Sequence, residues 1–322
     1  MTPSDLPVPS VFAPVSTPAF LIRDLSWLML AVSAAIFAVV AYLLVHALVR
    51  FRARRGEDDR EPPQVYGSNS IEVAWIVVPL LIVVVLFLAT ARTVFEIERA
   101  AAAGGATLRV TVVGHQWWWE FRYPDLGIVT ANELHIPLSD PAERRLTVLR
   151  LEAVDVIHSF WIPQLNGKTD VIPNHPNTMW VEPLRAGAYY GQCAEYCGTQ
   201  HANMQIRVFV HPKAEFDRWV AAQQARASES PAVAAGRAVF LGTACVSCHR
   251  VRGTAADGTF GPDLTHLMSR TTIGAGVARN TEENLRRWIR DPAQLKPGAL
   301  MPAMNLTDDQ IAAVVGYLLT LK

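Results

Sequence analysis

Cys193, Cys197, His201 and Met204 place two thiols, an imidazole and a thioether at spacings of four, four and three residues. Thiolate and thioether sulfur favour soft metals, and imidazole suits them as well, so this donor set points to copper rather than magnesium or calcium. Farther along, Cys245, Cys248 and His249 form C-x-x-C-H, which reads as covalent c-type haem attachment with the thiols on the porphyrin and the histidine on iron. The two motifs use all 4 cysteines and leave none for a structural disulfide. Two redox groups on one chain imply that it moves electrons.

Such groups need elements to hold them. The chain has 322 residues, 51% of them hydrophobic, which is high for a wholly soluble protein. Leu25 to Val49 contains no Asp, Glu, Lys or Arg, and neither does Val73 to Ala91. At about 1.5 Å per helical residue each run crosses roughly 30 Å of hydrocarbon. The first run is too long for a secretory signal and no small-residue cleavage pattern follows it, so it reads as a retained anchor. Arg50, Arg52, Arg54, Arg55 and Arg60 crowd the loop between the runs, while only Arg23 and Arg92 lie close to the outer ends. The positive-inside rule ignores Glu57, Asp58 and Asp59, so it puts this loop inside. Both termini and the redox segments are then expected on the outer, periplasmic side of a bacterial plasma membrane. A formal net charge of zero argues against a nucleic-acid partner.

Pro3 to Pro18 reads as an extended outer segment, and Ala100 to Ala106 as a small-residue linker. From Leu108 to Pro212 the texture is β-rich, with runs at Leu108–Val113, Trp117–Tyr123, Glu133–Ile136, Leu146–Glu152, Thr178–Val181 and Gln205–Val210. Strands of this length and spacing predict a sandwich or barrel of antiparallel sheets, with the cysteine cluster on a loop between the last two. A helix is expected from Ala214 to Ala227, and amphipathic helices over Ala232–Ala244 and Thr307–Leu319 flank the haem motif. Thr307 with Gln310 makes a capping box. The expected divisions are an outer segment 1–24, a transmembrane hairpin 25–95, a β domain 108–212, a helical linker 213–230 and a haem domain 231–322.

Four donors on one loop do not close a copper site, and cupredoxin-like sandwiches add a histidine from a distant strand end; His158 is well placed. At this point the chain strongly resembles subunit II of the haem-copper cytochrome c oxidases over roughly residues 20 to 212. The resemblance rests on Asp155-Val-Ile-His158-Ser-Phe-Trp161, Lys168-Thr-Asp170-Val-Ile-Pro173, the run from Gln192 to Met204, Gly114-His-Gln-Trp-Trp-Trp119 and the paired spans. It implies a dinuclear copper centre, CuA, bridged by Cys193 and Cys197. His158 and His201 are the terminal ligands, Met204 a weak axial one and the Glu195 carbonyl the last. It further implies that Trp117 is the aromatic of electron input and that the Glu195 carboxylate helps hold a magnesium or manganese ion shared with subunit I. Glu72 matches an acid at a proton-pathway entrance. His46 reads as a packing or interfacial residue. One departure is Ile172-Pro173-Asn174-His175, where the family has Ile-Pro-Gly-Arg: Asn can adopt the left-handed turn that Gly favours, whereas His replaces a permanent charge.

The haem segment resembles a class I cytochrome c, with Pro262 in Gly261-Pro262-Asp-Leu264 bracing the proximal imidazole. Met268, Met301 and Met304 are available as sixth ligand; the turn Pro297-Gly-Ala-Leu-Met301-Pro302 favours Met301, with Met304 next. Trp288 is expected near a haem edge. The haem segment carries net positive charge and the β segment net negative, which favours their docking. The expected fold class is therefore multidomain: a two-helix transmembrane hairpin, an all-β cupredoxin-like sandwich and an all-α cytochrome c domain, as in caa-type oxidases. The implied partners are subunits I and III, membrane lipid, and an external donor such as a cytochrome c or the quinol-cytochrome c reductase complex. Electrons would pass from that donor through haem c and CuA to haem a of subunit I, where oxygen is reduced. The alternative is a membrane-anchored copper-delivery protein, which needs neither His201 and Met204 in one loop nor a haem domain. A nitrous-oxide reductase needs a second copper domain for which the chain has no room, and a quinol oxidase subunit would lack the copper ligands.

Overall fold

The computed structural model describes residues 9–52, 64, 66–103, 106–140, 146–226 and 230–322. Arg54, Arg55 and Arg60, with the acids beside them, lie outside the described residues. The chain divides into two compact units, Leu21–Ala102 and Met1–Phe20 with Ala103–Lys322.

The first unit is the helical hairpin. Helix α1 (Thr17–Arg50) has 34 residues and α2 (Asn69–Ala103) has 35. Both exceed the expected apolar runs because their ends continue as helix into polar sequence. Their side chains, among them Phe37, Leu48, Ile76 and Phe87, stand exposed in the way lipid-facing residues do. Pro79 sits inside α2. His46 stacks on Tyr42 four residues back, the packing role expected of it.

The second unit begins with the chain just before α1. Val15 is buried in the β core, Ser16 bridges to Pro183, and Thr17 Oγ1 donates to Glu182 Oε2 at 2.6 Å. The part of the expected extended segment around Val15 and Ser16 is thus fastened to the β domain, while Thr17 and Pro18 already belong to α1.

Among the described residues ten strands follow: β1 (Ala106–His115), β2 (Trp118–Tyr123), β3 (Ile128–Ala131), β4 (Glu133–Pro137), β5 (Leu146–Ala153), β6 (His158–Trp161), β7 (Thr169–Val171), β8 (Asn177–Val181), β9 (Gly187–Cys193) and β10 (Gln205–His211). They form two five-stranded sheets, ordered β3-β2-β1-β5-β8 and β4-β10-β9-β6-β7. Alternation fills the space between them: Trp119, Phe121 and Tyr123 of β2 point inward with Leu149, Leu151, Phe160 and Ile206, while Arg122 stands outside. The cupredoxin-like sandwich is present, but its sheets are not wholly antiparallel. β1 runs parallel to β5 and β10 parallel to β4, since each pair is joined through the other sheet rather than by a hairpin.

Helix α3 (Lys213–Gln224) leads on to α4 (Ala234–Leu241), α5 (Cys245–Cys248), the short pair β11 (Thr272–Ile273) and β12 (Ala278–Arg279), α6 (Glu282–Arg290) and α7 (Asp308–Leu318). The Thr307–Gln310 capping box forms as expected. Helix α6 carries its own start and stop signals: Thr281 caps Asn284 N, Glu282 and Glu283 lie in the first turn, and Arg287 and Arg290 in the last. Helices α4 and α7 cross in close contact, and at Gly236 a Cβ would come within 1.9 Å of the Ala313 carbonyl oxygen. Phe240, Leu285, Ile289, Val314 and Tyr317 form a separate core around this crossing.

Candidate copper and haem sites

The candidate metal donors converge at one end of the sandwich. His158 opens β6 and Cys193 closes β9; these strands pair with Phe160 opposite Cys193. The whole cysteine cluster is expected on a loop, whereas Cys193 is the last residue of β9, so its sulfur inherits the rigidity of the sheet. The other donors lie on the β9–β10 loop, which is closed at its neck where Cys193 N donates to Met204 O at 3.0 Å.

Cys193 Sγ and Cys197 Sγ lie 3.8 Å apart, too far for a disulfide. Cys193 Sγ faces His158 Nδ1 at 3.9 Å and the Glu195 carbonyl at 3.2 Å. Cys197 Sγ faces His201 Nδ1 at 3.7 Å and Met204 Sδ at 3.9 Å. Each thiol therefore has one imidazole and one weak donor beside it. Ligand atoms of His158, Cys193 and Cys197 all lie within 4.8 Å of one another and all three residues are buried. Two facing sulfurs separated by nearly twice a bond length suit metal held between them, so the donor set fits copper.

Electrostatics agree. One thiol of the pair, Cys193, ionises far more readily than a free cysteine because Cys197 donates to it and His158 faces it, which together outweigh burial. The second, Cys197, is then held up by its charged neighbour and by burial. A cation between them removes that conflict.

The surrounding shell fixes the imidazole. His158 Nε2 lies 2.8 Å from Asp155 Oδ1; a carboxylate only accepts, so Nε2 carries the proton and Nδ1 is bare towards the sulfurs. Burial would push the Asp155 carboxyl up, but hydrogen bonds from His158, Val156 N and Gln116 N outweigh it and hold it below its ordinary value. For His158, burial is likewise outweighed by Asp155 and Cys193, which raise it. Trp119 packs edge-on against the ring, centroids 5.8 Å apart. At Gly114 a Cβ would lie 2.8 Å from His158 Cδ2, so the bare backbone leaves room for the imidazole. Trp117 Nε1 and Gln116 Nε2 both donate to the Cys197 carbonyl, at 3.0 and 2.8 Å.

The haem motif sits in the second core. Cys245 and Cys248 are free thiols at the two ends of α5, and His249 Nδ1 lies 2.7 Å from the Pro262 carbonyl. That acceptor places the proton on Nδ1 and leaves Nε2 for iron, the bracing role expected of Pro262. Burial lowers the His249 pKa and outweighs this hydrogen bond, so the ring is neutral as a ligand must be. A Cβ at Gly261 would lie 2.6 Å from His249 Cε1, so glycine lets the loop lie against the ring.

A mainly apolar cavity of about 220 Å³ opens here. Cys245, Cys248, His249, Met301, Met304 and Trp288 line it, so both methionine candidates reach it and the tryptophan is where it was expected. Met268 is not on this wall; its side chain packs against the core. Arg270 is buried, lines the cavity, and its Nε has no hydrogen-bond partner among the described residues. An orphaned guanidinium donor beside an apolar slot fits a flat ring bearing carboxylates, as haem is.

Three expected residues stand apart. Glu72 lies in the first turn of α2, in the other unit. The Glu195 carboxylate is at the surface, 3.7 Å from Lys168 Nζ. His175 is exposed in a turn where Asn174 takes a φ of 59°, the left-handed conformation anticipated for it. Asp155 stood inside a quoted motif without a role; its spacing three residues before His158 was the available signal. Arg270 and Lys296 gave none, because in sequence they look like ordinary surface charges.

Family models match three successive stretches: the transmembrane domain of cytochrome c oxidase subunit II over residues 9–91, its periplasmic domain over 138–210, and cytochrome c over 233–322. Cytochrome c oxidase subunit 2 of Alkalihalophilus pseudofirmus is 36% identical over 307 residues, covering 94% of this chain and 87% of that one. The chain belongs to the cytochrome c oxidase subunit II family. The subunit 2 of Bacillus sp. strain PS3 is also 36% identical, over 84% of this chain and 80% of its own. The solved periplasmic domain of subunit II from Bradyrhizobium japonicum is 30% identical and covers 37% of this chain and 95% of that one, with a TM-score of 0.35. Subunit II with a C-terminal cytochrome c is the caa-type arrangement. The protein is thus a membrane-anchored part of a haem-copper oxidase with two spans, a copper domain and a c-type haem domain, and it admits electrons to the complex. Copper delivery does not account for a match running through all three stretches.

Proposed function

We propose that electrons from an external donor pass through a haem c on Cys245, Cys248 and His249, then through a dinuclear copper centre, to subunit I. Cys193, Cys197, His158 and His201 would hold the copper pair, with Met204 and the Glu195 carbonyl as weaker donors. When bound, such a pair shares one electron through soft sulfur, so the charge change is spread and little rearranges on transfer. The observation that carries this reading is the pair of thiols 3.8 Å apart, each beside its own imidazole.

The chain's own residues hold this geometry still. Asp155 orients His158, the β9 end anchors Cys193, and Trp117 ties the β1–β2 turn to the Cys197 carbonyl on the path of electron input. Met301, on the wall of the haem cavity, would supply the sixth donor to the haem iron. The Glu195 carboxylate helps bind magnesium or manganese against subunit I, and Glu72 feeds a proton pathway there. The arginine-rich loop faces the cytoplasm and the redox domains the periplasm; subunits I and III pack on the spans, and a cytochrome c or the quinol-cytochrome c reductase complex supplies electrons.

Electron paramagnetic resonance of the purified, copper-loaded chain tests the proposal, alongside a haem-staining gel. One electron spread over two copper nuclei, with covalently retained haem, is the expected result. A single-copper pattern would overturn the dinuclear assignment.

A further inference from the structure

The cytochrome and copper domains belong to one compact unit, and buried polar groups hold them together. Lys296, 4% exposed, sits between them. Its Nζ donates to the carbonyls of Trp117 at 2.7 Å, Asn203 at 2.8 Å and Gly274 at 2.9 Å. The first acceptor is on the β1–β2 turn, the second on the copper-ligand loop and the third in the cytochrome domain itself. A second fastening lies at Glu133, 1% exposed, at the start of β4. Its carboxylate accepts from Thr271 N at 2.8 Å, Thr271 Oγ1 at 2.6 Å and Thr272 N at 3.1 Å. Arg207 donates to Thr272 Oγ1 at 2.6 Å, and Gln205 N to Ala275 O at 3.2 Å. The haem cavity is closed on this side by Gln116, Trp117, Trp118 and Lys296.

We propose that Lys296 is a docking residue: its ammonium clips the cytochrome domain to the turn and loop around the copper ligands, with Glu133 as the second clasp. The copper domain's face around Trp117 is then a built surface for this chain's own cytochrome, and a separate electron donor is received by the cytochrome domain instead. Surface charges that dock transient partners keep their water; these two are desolvated and most of their hydrogen bonds are to backbone, which favours one fixed geometry over a sliding encounter. Three carbonyls converging on one ammonium are what keeps such a buried charge tolerable. The inference deepens the electron-input reading and rests on it for its purpose, though not for its geometry.

Hydrogen exchange on the full chain, with haem and copper loaded, tests it. The amides of Thr271, Thr272 and Gln205 cross the domain boundary and report docking directly. Lys296→Met and, separately, Glu133→Gln are expected to speed their exchange by about tenfold or more, while amides of α7 stay unchanged. Unchanged boundary amides in both variants would overturn the proposal. Equal acceleration throughout the cytochrome domain would also overturn it, by showing that Lys296 holds the domain's fold rather than its docking. Exchange does not depend on how many copper ions the site holds, so failure here and failure of the dinuclear reading are separate results.

Discussion

Replacing Asp155 with alanine should weaken copper binding without unfolding the sandwich. The carboxylate accepts three hydrogen bonds: His158 Nε2 at 2.8 Å, Val156 N at 2.7 Å and Gln116 N at 2.6 Å. The two backbone donors are near solvent and can take water in its place. His158 is fully buried, so its Nε2 is left without a partner, at a cost of about 1–3 kcal/mol. The ring is then free to turn or to change tautomer, and the loss falls on the metal. Removing an outer partner of a ligating histidine typically weakens affinity by about 10–100-fold, or about 1.4–2.7 kcal/mol, the same range reached from the hydrogen bond. Asp155→Asn keeps an acceptor for His158 but turns an amide donor towards Gln116 N, so its effect should fall below that of alanine. Competition of the purified full chain against a copper chelator of known affinity, followed by the copper absorption, measures both. Affinity within about twofold of the parent for Asp155→Ala would refute the claim that this carboxylate orients the ligand.

Gly236→Ala should destabilise the cytochrome domain by about 3 kcal/mol, because the added Cβ would meet the Ala313 carbonyl at 1.9 Å across the α4–α7 crossing. Melting followed at the haem band reads this, and an unchanged midpoint would count against so close a crossing. Met301→Ala should abolish the methionine-ligated haem spectrum while Met304→Ala retains it; the reverse would reassign the ligand between two residues that share the cavity. His135, stacked on Trp219, Phe209 and His211, is pushed down to about 3, mainly by burial and then by His211 and Arg270. Its unfolded form binds the proton more readily, so this contribution to stability is complete above pH 6.5 and is lost as pH falls towards 3. The slope is at most about 1.4 kcal/mol per pH unit. Denaturant titrations across that window should show His135→Phe with a flatter acid limb, and an identical limb would remove His135 from the account.

The donors on the β9–β10 loop and the haem motif could be read directly, because metal and haem chemistry demand particular atoms at short spacing. The spans were equally plain, since lipid tolerates no interrupting charge. Strands β3, β6, β7 and β9 escaped notice because they are short, or mix small and polar residues whose burial depends on neighbours far along the chain. Helix α6 is not among the expected elements, although its capping threonine and ordered end charges are local signals for it.

Sequence alone could offer His158 as the donor that closes the site; that its Nδ1 faces Cys193 follows from β6 pairing with β9, a contact between residues far apart in the chain. The parallel pairs β1·β5 and β10·β4 were beyond any local pattern. Lys296, Glu133 and Arg270 mark the clearest divide. A charged side chain reads as solvated until the fold brings a second surface down upon it, and only then do its desolvation and its partners decide what it does. The residue types fixed which cofactors this chain can hold, because ligand chemistry is written in single side chains. How those cofactors are oriented, and what holds one domain against the other, rests on burial and long-range pairing, which exist only once the chain has folded.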